Sequence, residues 1–396
     1  MSLIEFRTPG KYLIYPFLFP LLYIGRYFCL HFLPIFTSNT SLFVIVMMLS
    51  ESSCGIIEII KKRCWKSKHL YENMDRLIQR EDELISSNKK KYIKIKEVFI
   101  LFLIALIDIS FNLFLNLLVA NSFNSNYKSL TVVLRVSQII FLGILSYFIL
   151  NIPIYRFHIV CFVITALLLT LILMAERATD KTSDLTTSEY IIQIVICVVA
   201  YCINSIQYVL HKYIMDKHYY SPYSVLGITG LMEIGIWLVI IGFGELFHNE
   251  KLTFSNAAIG WSNLTEEIYY IFCLIGAYFL GIVLNIIIIL TNLFLTPPYN
   301  GINDTLNGIV ITLLQMIISK SIFSVLTCVI LLCAFIICLI YSEIIVLHCC
   351  SIGKDTKKEI VNRGIEETKG MEDLIIAEIR SLSRININDE NKLPNN

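Results

Sequence analysis

IYYIFCLIGAYFLGIVLNIIIILTNLFL, residues 268–295, contains no Asp, Glu, Lys or Arg. About 20 mainly apolar residues at helical rise match the roughly 30 Å hydrocarbon thickness of a bilayer. This stretch exceeds that length, so it reads as a membrane-crossing helix. Working outward from it, nine more stretches of the same kind follow: roughly 12–35, 40–60, 98–120, 129–150, 154–175, 189–211, 223–247, 302–319 and 322–346. The expected fold is all-α and integral to a membrane, with ten transmembrane helices.

Composition agrees. Hydrophobic residues make up 56% of the chain and charged ones 16%, with mean hydropathy +0.70. Soluble domains carry about 25% charge, so an ordinary cytosolic enzyme is excluded. The longest polar pieces are a loop at 61–96 and a tail at 347–396, with shorter ones at 1–11 and in a linker at 176–188. The first span follows a short polar start with Arg7 and Lys11 and is too long for a signal peptide, so it is expected to be retained.

Lys and Arg set the orientation, because cytosolic loops accumulate them. Of the 32, 25 fall on the side of the N-terminus and five on the other, with Arg26 and Arg135 inside spans. Both termini are therefore expected in the cytosol, which requires an even number of spans. The sequons at Asn39 and Asn263 lie in loops assigned to the outside and are the glycosylation candidates, whereas that at Asn303 lies on the cytosolic side. No cysteine falls in an outside loop, so no disulfide framework is expected. Cys349-Cys350, just past the last span, is either an acylation site or inert.

A shift of 173 residues lays Phe111-Asn112-Leu113 on Leu284-Asn285-Ile286, and spans 4 and 5 on spans 9 and 10. About ten more lays Leu49-Ser50-Glu51 on Leu231-Met232-Glu233. The chain thus reads as five spans repeated, residues 12–175 and 189–346. Five is odd, so the copies enter the membrane from opposite faces. Such inverted repeats recur in secondary transporters, with solute bound at the midplane between them.

Ionisable groups within spans cost about 2.5–3.5 kcal/mol on insertion scales. Arg26, Glu51, Asp108 and Glu233 all require a reason. Asp108, Asn112 and Asn116 recur every four residues and share one stripe of span 3. Asn204 and Gln207 share a face of span 6, and Gln138 and Asn285 add amides. The candidate solute pathway is Arg26, Glu51, Asp108, Asn112, Gln138, Asn204, Gln207, Glu233 and Asn285. The competing reading is interhelical hydrogen bonding, at about 0.6 kcal/mol per contact. Arg26 either pairs with a buried carboxylate or holds an anionic solute, and a buried carboxylate can carry a coupling proton. Arg135, toward the outer end of span 4, reads as snorkelling to the interface. Pro16 and Pro20 either break span 1 or kink it.

Outside the spans, Met74, Leu77, Ile78, Leu84 and Ile85 form a partial helical stripe between basic clusters. It reads as a helix lying on anionic lipid or as a solvated linker. Met371–Arg380 is a second short helix candidate. There is no P-loop, HExxH or GxSxG motif. No catalytic residue, cofactor, metal or nucleic-acid partner is expected. The expected partners are membrane lipid, a small-molecule solute and a coupling proton or exchanged solute. A further copy of the chain is allowed for.

Gln207-Tyr208-Val209-Leu210, Lys212-Tyr213, Ser221-Pro222-Tyr223, Leu226-Gly227 and Gly230-Leu231 together resemble the drug/metabolite transporter superfamily, most of all the F branch of the solute carrier 35 group. Asp304-Thr305-Leu306 is similar to that branch's Asp-Ser-Leu-Arg element, with Asn307 where the arginine stands. Ile340-Tyr341-Ser342-Glu343-Ile344 has the look of its last span. The resemblance implies ten helices in two inverted halves, secondary transport by alternating access, and an endomembrane location (Golgi, ER or vacuole/lysosome). The alternative is a non-transporting multi-pass scaffold that keeps this fold.

Overall fold

Each of the ten apolar stretches folds as a helix. The computed structural model describes residues 4–6, 14–31, 40–64, 87–121, 135–179, 187–246, 268–318 and 325–347. The helices are α1 (Ile14–His31), α2 (Thr40–Cys64), α3 (Ser87–Asn121), α4 (Ser137–Leu150), α5 (Arg156–Thr179), α6 (Thr187–His218), α7 (Pro222–Leu246), α8 (Ile268–Phe294), α9 (Pro298–Ile318) and α10 (Val325–Tyr341). The sequons at Asn39 and Asn263, the stripe from Met74 to Ile85, the Cys349-Cys350 pair and the tail helix lie outside the described residues. By length and composition, α6, α7 and α8 each contain a segment able to cross a membrane: Ile194–His218, Pro222–Gly242 and Tyr269–Phe294.

Several boundaries differ from the hydropathy pattern for identifiable reasons. α3 begins at Ser87, so its first turns run through the basic cluster before reaching apolar sequence. Lys is a good helix former and does not stop a helix. α1 passes through Pro20 without a break. α10 stops at Tyr341, short of the expected 346. The chain leaves it with Glu343 in the left-handed region (φ 58°) and Ile344 N–H bonded to Leu339 O at 3.1 Å. This is the six-to-one closure that satisfies terminal carbonyls.

Two three-residue strands follow from that turn. β1 (Ile4–Phe6) pairs antiparallel with β2 (Ile345–Leu347), Ile4 opposite Leu347 and Phe6 opposite Ile345. The approach to α1 and the exit from α10 therefore meet at one end of the bundle.

The helices pack mainly between the first five and the last five. α2 lies on α7 and α8, α1 on α8 and α9, α3 on α6 and α7, α4 on α6 and α9, and α5 on α10. Glycine makes the α2–α7 crossing close: a Cβ on Gly227 would stand 2.5 Å from Gly55 Cα, and one on Gly230 would stand 2.5 Å from Ser52 N. Gly281 meets Ser50, and Gly276 meets Cys29. Gly235 and Gly242 have nothing within 4 Å, so only part of the glycine content of α7 serves packing.

Burial runs opposite to a water-soluble domain, where charged and amide side chains stay outside. Glu51, Gln138, Thr229, Glu233, Asn292 and Asn303 are buried, while Phe148, Phe272 and Met174 are largely exposed.

Candidate functional site

Three carboxylates meet in the interior. Glu51 from α2, Asp108 from α3 and Glu233 from α7 each place an oxygen within 4.8 Å of the others. The close α2–α7 crossing brings the two glutamates together, because Gly55 and Gly227 lie one turn from Glu51 and less than two turns from Glu233. Thr229, one turn before Glu233, donates to Glu51 Oε1 at 3.1 Å. Asn112, one turn after Asp108, donates to Asp108 Oδ2 at 3.1 Å, and Gln207 from α6 also reaches Asp108.

Glu233 is held differently. It is 0% exposed, and neither of its oxygens has a donor outside the carboxylate cluster. A Glu51–Glu233 hydrogen bond exists only if one of the two carries a proton, since two carboxylates both accept. The groups acting on the cluster are its own members together with Thr229, Asn112 and Gln207.

A second centre sits beside the first. Tyr208 of α6 donates to Asp304 Oδ2 of α9 at 3.2 Å. Arg135, ahead of α4, donates from Nε to Tyr201 Oη at 3.3 Å and acts electrostatically on Asp304. Gln138 is fully buried next to Asp304, although neither end of its amide forms a hydrogen bond of good geometry. Asn204 reaches Tyr208, and Tyr208 also senses Asp108. α6 therefore bridges the centres, Gln207 toward one and Tyr208 toward the other. Arg135 does not snorkel: it is half-buried and turned inward.

Arg26 and Asn285 form a third, smaller group. Arg26 is buried, with its guanidinium carbon 6.0 Å from the Tyr23 ring centroid. It approaches Gly281 next to Ser50, and Asn285 donates to Ser50 Oγ at 3.2 Å. Ser50 adjoins Glu51 in sequence, which places this group next to the carboxylates.

All nine residues singled out from sequence thus lie in or beside these centres. Sequence reasoning missed Asp304, Tyr201 and Tyr208 as members. Asp304 was visible only as part of a family-like motif. Buried tyrosines carry no hydropathy signal. The sequon residue Asn303 is buried and donates to Asn300 Oδ1 at 3.2 Å.

At one end of the bundle the α6–α7 turn is clasped to α2 and α3. Tyr220 donates to Glu97 Oε2 at 2.8 Å, His218 Nδ1 lies 3.2 Å from Glu97 Oε1, and Ser221 donates to Glu58 Oε2 at 2.7 Å. Burial, then the bond to Glu97, pushes the Tyr220 phenol up to about 12. Lys212 donates to Leu293 O at 2.9 Å and pairs with Asp216 at 3.3 Å, tying α6 to the end of α8.

No family model and no curated protein matches this chain. Among solved structures, one described only as "Crystal structure of protein" is similar at 10% identity and TM-score 0.46, covering 85% of this chain and 97% of its own.

Proposed function

We propose that the chain is a secondary transporter of a small polar solute. It crosses an endomembrane ten times as two inverted five-helix repeats, with both termini cytosolic. The observation that carries this reading is the union of Glu51, Asp108 and Glu233, drawn from both halves of the chain into a buried centre. Buried carboxylates are costly to maintain and are placed where a solute or ion passes.

Three further features support it. The packing pattern is nearly unchanged when each helix is exchanged with the one five places along: α1–α8 becomes α6–α3, α2–α8 becomes α7–α3, and α4–α6 becomes α9–α1, all observed pairs. That is the expectation for two repeats related by a twofold axis in the membrane plane. The β1–β2 ribbon brings the two ends of the helical region to one side, which suits an even number of crossings. The many large apolar side chains facing outward, among them Phe148, Phe272, Leu167 and Leu171, suit lipid.

Alternating access would then be a rocking of α1–α5 against α6–α10 about the carboxylate centre. The close α2–α7 contact at Gly55 and Gly227 is a natural pivot, because small residues let two backbones turn against each other. The clasp around Glu97 ties the α6–α7 turn to α2 and α3 at one end of the contact between halves.

Uptake into vesicles reconstituted with the purified chain tests the proposal, screened against nucleotides, sugars, amino acids and vitamins. Saturable flux is expected, reduced at least tenfold by Glu51→Gln or Arg26→Ala. A purified protein that moves no solute while co-purifying with a stable partner would favour the scaffold alternative.

A further inference from the structure

The two hydrogen-bonded carboxylates of the central cluster leave one member unexplained. Thr229 serves Glu51, and Asn112 and Gln207 serve Asp108. Glu233, fully buried, brings an oxygen into the same cluster, and neither of its oxygens has a donor outside that cluster. A buried carboxylate left without a donor is strongly destabilising unless a positive charge or a proton meets it.

The donor geometry suits an ion. Oxygens bound at about 2.3–2.6 Å to one centre lie at most about 5 Å apart. The three carboxylates, each with an oxygen within 4.8 Å of the others, need only small side-chain adjustments to share one such sphere. All three donors are hard oxygens, with no sulfur or imidazole in the group, which suits Ca²⁺ and Mn²⁺ rather than zinc or copper. Mg²⁺ gives up its water reluctantly and fits a closed set of side chains less well.

We infer that Glu51, Asp108 and Glu233 form a binding site for a hard divalent cation of calcium-like size, carried as solute or coupling ion. A divalent ion offsets two of the three charges, and the Asn112 and Gln207 amides stabilise the third at Asp108. The ligands come from α2 and α3 on one side and α7 on the other, so the ion would link the halves. This role rests on the transport reading, but the binding itself does not.

The test uses the full chain purified in nanodiscs. Mn²⁺ is titrated and its free signal followed by electron paramagnetic resonance, with Ca²⁺ as competitor. One saturable Mn²⁺ per chain is expected, displaced by Ca²⁺ and less well by Mg²⁺. Glu233→Gln and Asp108→Asn should each weaken it at least tenfold, while Asp216→Asn, at the Lys212 pair, should leave it unchanged. The wild-type melting temperature should also rise with Ca²⁺, because an ion bound only by the folded state stabilises it. No stoichiometric Mn²⁺, no Ca²⁺-dependent rise in melting temperature, or equal binding by folded Glu233→Gln protein would overturn the inference. Mn²⁺ binding without any solute flux would uphold the site and remove the transport reading. Solute flux without Mn²⁺ binding would do the reverse.

Discussion

At the scale of the residue, burial separates side chains of similar chemistry. Asp216 is exposed and pairs with Lys212 one turn away, and such exposed pairs contribute little. Asp304 has the same chemistry but meets Tyr208, Arg135 and the Gln138 amide away from water. Removing one partner leaves the other buried without compensation. Tyr208→Phe is therefore expected to cost about 2 kcal/mol, read as a lowered denaturation midpoint, and Asp216→Asn less than about 0.5 kcal/mol.

Tyr220 gives the residue scale a pH signature. Its folded phenol titrates near 12, above the ordinary value of 10. A raised value favours the folded state while the phenol keeps its proton, so this stabilisation is complete below pH 10 and disappears as pH rises through 12. Melting temperature should fall across that window in the wild type. Tyr220→Phe should show a shallower fall, and an identical slope would show that the clasp to Glu97 does not matter.

At the scale of the element, the α2–α7 crossing dominates. A side chain on Gly227 meets the backbone of Gly55, which cannot yield as a flexible side chain would. Gly227→Val should separate the helices and cost about 1–3 kcal/mol, the range for overpacking. Gly235→Val, on the same helix with open space around it, should be close to neutral. Comparing the two melting curves checks the crossing without reference to function.

The element scale also shows what was readable beforehand. Helix number and approximate bounds follow from hydropathy alone, because each span is a long apolar run with polar flanks. Glu51 and Glu233, which the expected repeat places at matching positions, lie in one cluster. Arg135 was misplaced because its position along one span says nothing of what α6 and α9 present to it. The β1–β2 ribbon was unreadable for another reason: three residues such as Ile4-Glu5-Phe6 carry no period, and their partner lies about 340 residues further along the chain.

At the scale of the whole molecule, topology is open to direct test. The orientation proposed here puts Asn263 outside and Asn303 on the cytosolic half of α9. Expression in a glycosylating cell should add glycan at Asn263 and none at Asn303, where burial also excludes the transferase. Glycan at Asn303 would reverse the orientation.

The central claim is that the buried carboxylate centre is reached in turn from both faces of the membrane. Thr229, which bonds Glu51 within that centre, is the position to probe. In a background stripped of reactive cysteines, Thr229→Cys is exposed to a membrane-impermeant thiol reagent from each side of sealed vesicles. The account predicts labelling from either side, slowed when a transported solute is present. Labelling from one side alone, or from neither, would contradict it.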